Sequence, residues 1–235
     1  PDNWVGGVVP DKANVANVTI GEGEGVIFDE SAQSGLAEAG LVEIESLSFT
    51  DTDGGTSLDA SRFDITDGSL AVAGNATLGG FEMSSGTSLD IGGTLSVDIV
   101  TDGSNGDIDG DITGAGDLVK AGTGTLKMTG DNTYSGGTTV NAGTLRAATS
   151  SAITSGSIDN GPFGTGMVTV KDGAALDLGG NDLTNDLSIT GSGISNGGAL
   201  IAGSSAVTLD GDISLGPATT INAASALTIN GAVSA

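Results

Sequence analysis

Aspartates are crowded into one short run, DGSNGDIDGDITGAGD, where their spacing could serve a metal ion. The acids of this run are Asp102, Asp107, Asp109, Asp111 and Asp117. Alternating carboxylates can offer one row of oxygen ligands to Ca²⁺. The EF-hand pattern fails, because the sixth and twelfth positions counted from Asp107 are Ile112 and Leu118. The calcium β-roll nonapeptide is also absent. We interpret the run as a polar strand face with turns and predict no metal site and no cofactor; a calcium site over residues 102–117 is the alternative.

A second acidic run, TDTDGG, contains Asp51 and Asp53 and resembles the start of a galacturonan hydrolase site. Such a site also needs an adjacent Asp pair, a Gly-His-Gly and an Arg-x-Lys. The chain has no His and no Asp-Asp pair, and Arg62 has no Lys two residues later. The missing His and Cys also remove the commonest general base and the thiol nucleophile. We therefore expect no enzyme and assign no catalytic residue.

Composition and charge limit the partners that the chain can have. Among 235 residues, 30 are acidic and 6 basic, which gives a formal net charge of -24. Nucleic acids bind mainly through Lys and Arg, so a nucleic acid is not expected as a partner. Anionic lipid headgroups are disfavoured for the same reason. Aromatic residues are only 3% and glycines number 42, so the core must consist of many small aliphatic contacts.

Short strands are the elements that must position these side chains. Apolar residues alternate with polar ones, as in Leu89 and Ile91 around Asp90, and nearly every run then ends in Gly, Asn or Asp. The same alternation is found in three more segments, with inward residues Leu95, Val97 and Ile99; Leu126 and Met128; and Leu176 and Leu178. A short helix is expected only near residues 30–39.

Internal repetition decides the predicted architecture. The segment SSAVTLDGDISL (residues 204–215) aligns with ASALTINGAVSA (residues 224–235) at an offset of 20 residues, and Leu126 aligns with Leu145 at an offset of 19. Short strands at a fixed period near 20, with Gly, Asn and Asp at the corners, are typical of a β-solenoid. The alternative is a β-sandwich, which also has alternating strands and frequent turns.

The stretch GTGTLKMTGDNTYSGGTTVNAGTLRA shows the pattern most clearly. Four apolar residues are predicted to point inward: Leu126, Met128, Val140 and Leu145. Gly136 and Gly137 are expected to form a corner at which a positive φ costs little. Asn132 is expected to bond to the local backbone. Tyr134 is expected to pack at a corner and Trp4 to cover the first coil; stacking of these two rings on a sugar is the alternative.

The longer segment GAGDLVKAGTGTLKMTGDNTYSGGTTVNAGTLRA, from Gly114 to Ala147, resembles a known family. It is similar to the autotransporter-associated β-strand repeat, or passenger-associated transport repeat, of type V secreted bacterial proteins. The matching features are Gly-x-Gly-x-Leu-x-Lys-x-Gly-x-Gly-Thr-Leu, then Thr-Gly-x-Asn-Thr-Tyr-x-Gly-Gly-Thr-Thr-Val, then Ala-Gly-Thr-Leu. The resemblance implies a right-handed parallel β-helix with about 20 residues per coil.

The resemblance also implies an organisation and a location. We expect one β-helix over residues 1–235, with an N-terminal cap and first coils in residues 1–45 and the repeat at residues 114–147. The chain is expected to be part of a longer passenger, monomeric, and displayed at the bacterial surface or secreted across the outer membrane. A C-terminal β-barrel translocator is expected in the parent chain.

Three functions are considered on this basis. The first is a non-catalytic extracellular rod that supports secretion, folding and surface display. The second is an adhesin module that binds glycans or proteins of a host or a neighbouring cell. The third, a polysaccharide-active β-helix enzyme, is disfavoured by the residues that the chain lacks.

Overall fold

The computed structural model describes residues 17–20, 46–49, 57–60, 63–65, 69–72, 74–99, 105–154 and 157–235. These residues form short strands separated by tight corners, because runs of three to five alternating residues are interrupted by Gly, Asn, Asp and Ser. The strands, in chain order, are β1 (Asn17–Ile20), β2 (Ser46–Phe49), β3 (Ser57–Ala60), β4 (Phe63–Ile65), β5 (Ser69–Val72), β6 (Asn75–Leu78), β7 (Phe81–Met83), β8 (Ser88–Ile91), β9 (Thr94–Asp98), β10 (Asn105–Ile108), β11 (Asp111–Thr113), β12 (Asp117–Ala121), β13 (Thr125–Met128), β14 (Thr138–Val140), β15 (Thr144–Ala147), β16 (Ala152–Thr154), β17 (Ser157–Asn160), β18 (Val168–Val170), β19 (Ala175–Asp177), β20 (Leu187–Ile189), β21 (Leu200–Gly203), β22 (Val207–Leu209), β23 (Ile213–Leu215), β24 (Ile221–Ala223), β25 (Leu227–Ile229) and β26 (Val233–Ser234). One 3-10 turn, Ile194–Asn196, lies between β20 and β21.

Three parallel sheets run along the molecule. The first sheet has the order β1-β2-β5-β8-β11, the second β3-β6-β9-β12-β14-β18-β20-β23-β26, and the third β4-β7-β10-β13-β15-β19-β21-β24. Successive strands of a sheet come from successive coils of the chain. The described residues therefore form a parallel β-solenoid of about eight turns, which confirms the predicted architecture. A β-sandwich is ruled out, since its neighbouring strands would be antiparallel.

The strand register confirms the repeat that the sequence shows. Val207 pairs with Leu227 and Leu209 with Ile229, and Leu126 pairs with Leu145. Some coils are longer than the period near 20 predicts. Thr138 of β14 pairs with Val168 of β18, 30 residues on, because the antiparallel hairpin β16–β17 is inserted in that coil.

The core is a set of aliphatic columns inside the solenoid. In the third sheet, Leu126, Leu145, Leu176 and Leu200 stack in register and each is fully buried. The residues that alternate with them, such as Lys127 and Arg146, face outward. The predicted in/out alternation is confirmed in the segments at residues 89–91, 95–99, 126–128 and 176–178.

The first sheet ends at β11, although the other two continue. In the next three coils this face is made of irregular chain, and strands return only with the pair β22–β25.

The expected helix at residues 30–39 and the expected cap at residues 1–45 lie outside the described residues, apart from the backbone of β1. In the described part of the chain, no helix is long and apolar enough to cross a membrane.

Candidate functional site: the buried polar residues of the repeat

Polar side chains in the core are concentrated in the segment that the sequence singles out. Among the described residues, the buried polar and charged side chains are Thr87, Lys120, Asn132, Thr138 and Asn185. Three of these lie between residues 118 and 147, and the hydroxyl of the fully buried Tyr134 adds a fourth polar group there. Burying such groups costs free energy unless each finds a partner, so their partners define what this segment does.

Lys120 occupies an inward position of the second sheet, between Val97 and Val140 in an otherwise aliphatic column. It is fully buried, and its Nζ donates to the carbonyls of Ala121, of Gly122 at 2.8 Å and of Ala142 at 3.3 Å. The first two carbonyls belong to its own corner, and Ala142 belongs to the next coil. The ammonium group is therefore enclosed by backbone carbonyls from two successive coils.

Two glycines shape the corners that surround this ammonium. Gly122 and Gly143 have φ of 69° and 67°, in the left-handed region that favours glycine. A Cβ on Gly143 would come within 2.9 Å of Lys120 Nζ and 2.3 Å of the Gly124 carbonyl. Glycine is required at this corner because of its positive φ and because a side chain would collide with the Gly124 and Gly122 carbonyls of the preceding coil.

The burial of Lys120 has an electrostatic consequence. Desolvation of the ammonium lowers the pKa of Lys120 from 10.5 to about 8, and the negative charge of Asp98 on the preceding coil opposes this change. At neutral pH Lys120 is therefore still mainly protonated, and its positive charge is held inside the solenoid. The bonds of the side chain link two coils, through the carbonyls of its own corner and that of Ala142.

Asn132 performs a similar role at the place where the first sheet ends. Its Oδ1 accepts the backbone N–H of Ile112 in β11 at 2.7 Å. Its Nδ2 donates to the Gly130 carbonyl at 3.1 Å and to the Pro162 carbonyl at 2.9 Å. Ile112 is one coil before Asn132 and Pro162 one coil after it. The amide side chain thus adds bonds to both neighbouring coils beside the backbone bonds of Asn132 with Gly161 and of Thr133 with Ile112, whereas the sequence predicts only a local bond.

Tyr134 and Thr138 form a third buried polar contact. The Tyr134 hydroxyl and Thr138 Oγ1 are 2.6 Å apart, and Thr138 Oγ1 donates to the Phe163 carbonyl of the next coil at 3.2 Å. Burial raises the pKa of Tyr134 well above its usual range. Tyr134 packs inside the repeat, as predicted, and its ring is not available to stack on a sugar.

The Gly136–Gly137 corner differs in one respect from its prediction. Neither glycine has a positive φ. Gly136 is needed instead for close approach, since a Cβ there would lie 2.2 Å from the Gly116 carbonyl of the preceding coil. The Gly137 N–H donates to Asp117 Oδ1 at 2.7 Å.

The aspartates of the acidic run that the structure describes, from Asp107 to Asp117, have partners within the protein. Asp107 and Asp109 lie 3.2 and 3.6 Å from Lys127 Nζ. Asp111 Oδ1 accepts a hydrogen bond from the backbone N–H of Asp131, one coil further on, at 2.8 Å. Asp117 Oδ1 accepts the backbone N–H of Gly137 in the same way. Short Asp side chains therefore join the corners of successive coils. Within the described ranges, no three carboxylates are grouped so that they could hold a metal ion.

Several residues considered in the sequence lie outside the described residues. These are Trp4, Asp51, Asp53, Arg62 and Asp102. Lys120 and Asn132 hold the centre of the site; the sequence pattern predicts only a local bond for Asn132 and had not indicated Lys120. The alternation of side chains along a strand could have identified Lys120 as buried. Because Leu118 points inward, the residue two positions later must point inward as well.

Fold and site together define a parallel β-solenoid in which buried polar side chains link successive coils, most of them within residues 118–147. Asn185 links coils outside that segment, since its Nδ2 donates to the Gly164 and Gly166 carbonyls at 3.1 and 2.8 Å. The Passenger-associated-transport-repeat family matches residues 118–147, the same segment. Over 143 residues, or 59% of the chain, the sequence is 35% identical to the adhesin BmaC autotransporter of Brucella suis biovar 1 (strain 1330). The match covers 4% of the length of that curated relative. No solved structure matches the chain. Residues 118–147 therefore carry a passenger-associated transport repeat, and the chain is similar over more than half of its length to a short part of an autotransporter adhesin.

Proposed function

We propose that this segment is a non-catalytic part of an extracellular rod, and that its repeat promotes folding, secretion and surface display of the passenger. The observation that carries the proposal is the pair of buried side chains Lys120 and Asn132, each of which bonds to a neighbouring coil. A C-terminal β-barrel translocator in the parent chain is the partner that this function requires.

The physical reason lies in how such a passenger leaves the cell. The resemblance implies that the chain crosses the outer membrane unfolded, with no ATP outside to drive it. Folding outside can bias this movement, because a folded coil cannot slip back through the pore. The repeat suits such a ratchet, since its partners lie about 20 to 30 residues apart in the chain and close contacts form quickly. Each coil then serves as a template for the next.

The experiment is a deletion of residues 114–147 from the full-length parent. Surface yield and binding per displayed molecule are measured separately. A deletion of residues 202–235 is the matched control, because it removes the same number of residues and none of the buried polar side chains. We expect the first deletion to reduce surface yield much more than the second, with binding per molecule unchanged.

Two outcomes would contradict the proposal. Equal yields from the two deletions would show that the repeat does nothing beyond what any coil does. Normal yield with lost binding after removal of residues 114–147 would assign that segment to a ligand.

Adhesion is a second candidate, supported by one structural feature. The hairpin β16–β17 is inserted between coils and leaves Ile153 45% exposed. The curated relative is named an adhesin. A glycan and cell-binding screen of the full chain would test this, with a short Gly-Ser link in place of residues 152–160 as the comparison. Binding that survives the replacement would exclude the hairpin as the contact.

A further inference from the structure

The apolar residues of the solenoid leave the alignment of neighbouring coils underdetermined. In the second sheet, Val119 of β12 pairs with Thr139 of β14. A slip by one residue would turn every inward side chain outward, but a slip by two residues keeps the inward set inward. Such a slip would place Val119 beside Asn141. Inside the solenoid, Leu118 would then meet Val140 in place of Thr138, so an apolar contact would still form across the boundary.

The buried polar residues distinguish the two alignments. The coil that contains β12 and the coil that contains β14 are joined by two buried contacts: Lys120 with the Ala142 carbonyl, and the Ile112 N–H with Asn132 Oδ1. A two-residue slip would break both contacts. Lys120 would keep the carbonyls of its own corner, whereas the amide of Asn132 would lose its partner on the preceding coil.

These contacts occur on a face that has no strand pairing. The first sheet ends with β11, and on that face the coil of Asn132 is joined to the coil before it by backbone bonds from Thr133 and Tyr134 to the Ile112 carbonyl and from Ser135 to the Gly114 carbonyl. Backbone bonds do not by themselves distinguish one register from another, because every non-proline residue offers the same N–H and C=O groups. The buried hydroxyl of Thr87 bonds only within its own turn, to the Ser84 carbonyl at 2.7 Å. Its removal would therefore leave coil alignment unchanged.

We propose that Lys120 and Asn132 form a register lock, which holds the two coils at the start of the repeat in one alignment and excludes the slipped one. A buried polar or charged group that loses its partner disfavours the slipped state by at least about 100-fold. An aliphatic side chain at the same two positions imposes no such selection. The lock is a property of the fold, and it stands or falls independently of any role in secretion.

Introduced cysteines report the alignment, because the chain contains none of its own. The pair Val119→Cys with Thr139→Cys reports the native register, in which neighbouring strands are about 4.8 Å apart. The pair Val119→Cys with Asn141→Cys reports the slipped register, since its Cα atoms are about 8 Å apart in the native one. A disulfide needs a Cα separation below about 7 Å. Each variant is unfolded under reducing conditions and refolded in a thiol–disulfide buffer.

With Lys120 and Asn132 present, we expect a disulfide only from the native pair. In the background Lys120→Met with Asn132→Leu, we expect the slipped pair to form as well, at least about tenfold more than before. Thr87→Val is the matched control and should leave the slipped pair unformed. Should the double variant fail to fold by circular dichroism, Asn132→Leu alone carries the same test. A folded variant that still yields only the native disulfide, or a slipped disulfide in the Thr87→Val control, would overturn the proposal.

Discussion

Raising the pH from 7 to about 9.5 should stabilise this protein, and Lys120 should be the cause. Burial lowers the pKa of Lys120 to about 8 in the folded chain, against 10.5 when the side chain is in water. Between these values the unfolded chain keeps the proton that the native chain has lost. The unfolded state then binds more protons than the native state, so the free energy of unfolding rises with pH.

The size of the effect follows from the two pKa values. Each unit of difference corresponds to about 1.36 kcal/mol, and integration from pH 7 to about 9.5 yields a gain of about 2 kcal/mol. The upper limit of the pH range is set by Tyr134, the only tyrosine of the chain. Burial raises the pKa of Tyr134 in the folded state, so ionisation of the unfolded chain near pH 10 would reduce stability and hide the gain.

The assay is urea unfolding of the chain at pH 7 and at about pH 9.5, with Lys120→Met as the comparison. Methionine has a similar length and does not titrate, so we expect the gain of about 2 kcal/mol in the wild type and almost none in the variant. The absolute stability of the variant is not the test, because it loses both an ammonium and the bonds that the ammonium makes. Equal pH dependence in the two proteins would refute the reasoning, as would a wild type that becomes less stable over this range.

Other predictions test the packing, all by urea unfolding at pH 7 except the last. Leu145→Asp should cost on the order of 4 kcal/mol, because it buries a lone carboxylate in an aliphatic column, whereas Arg146→Asp should cost less than about 1 kcal/mol on the outer face. Equal costs would contradict the in/out assignment. Gly136→Ala should lower the free energy of unfolding several times as much as Gly137→Ala does. A Cβ on Gly136 would lie 2.2 Å from a backbone carbonyl, whereas one on Gly137 would come no closer than 3.4 Å to any atom. A larger loss of stability from Gly137→Ala would rule out close approach as the cause. Excess calcium and a chelator should give melting temperatures within about 2 °C, because the acids at residues 107–117 already have partners; a shift above about 10 °C would contradict this.

Much of the solenoid could be predicted from local pattern. Alternation places Leu126 and Met128 inside and Lys127 outside, and the offset of 20 residues pairs Val207 with Leu227, as the structure confirms. Both signals are short in range, and a strand reveals its buried face within a few residues. The same rule also places Lys120 inside, although its residue type suggests the surface.

The partners of the buried polar groups could not be predicted in this way. Lys120 is enclosed by the corner at Ala142 and Asn132 bonds to Ile112 and Pro162, and these groups are 20 to 30 residues away. Their positions depend on the length of each coil, which varies from about 20 to 30 residues as hairpins and turns are inserted.

Sequence alone determined the period, the strands and the side of the sheet on which each residue lies, because these depend on backbone alternation and on which residues permit a turn. Only the tertiary structure decided where the first sheet ends, why Gly136 must be a glycine, and which carbonyls surround Lys120. Those features arise from the approach of backbone atoms in successive coils. A small change in the length of one corner moves the next coil by several ångströms, and no local pattern records the result.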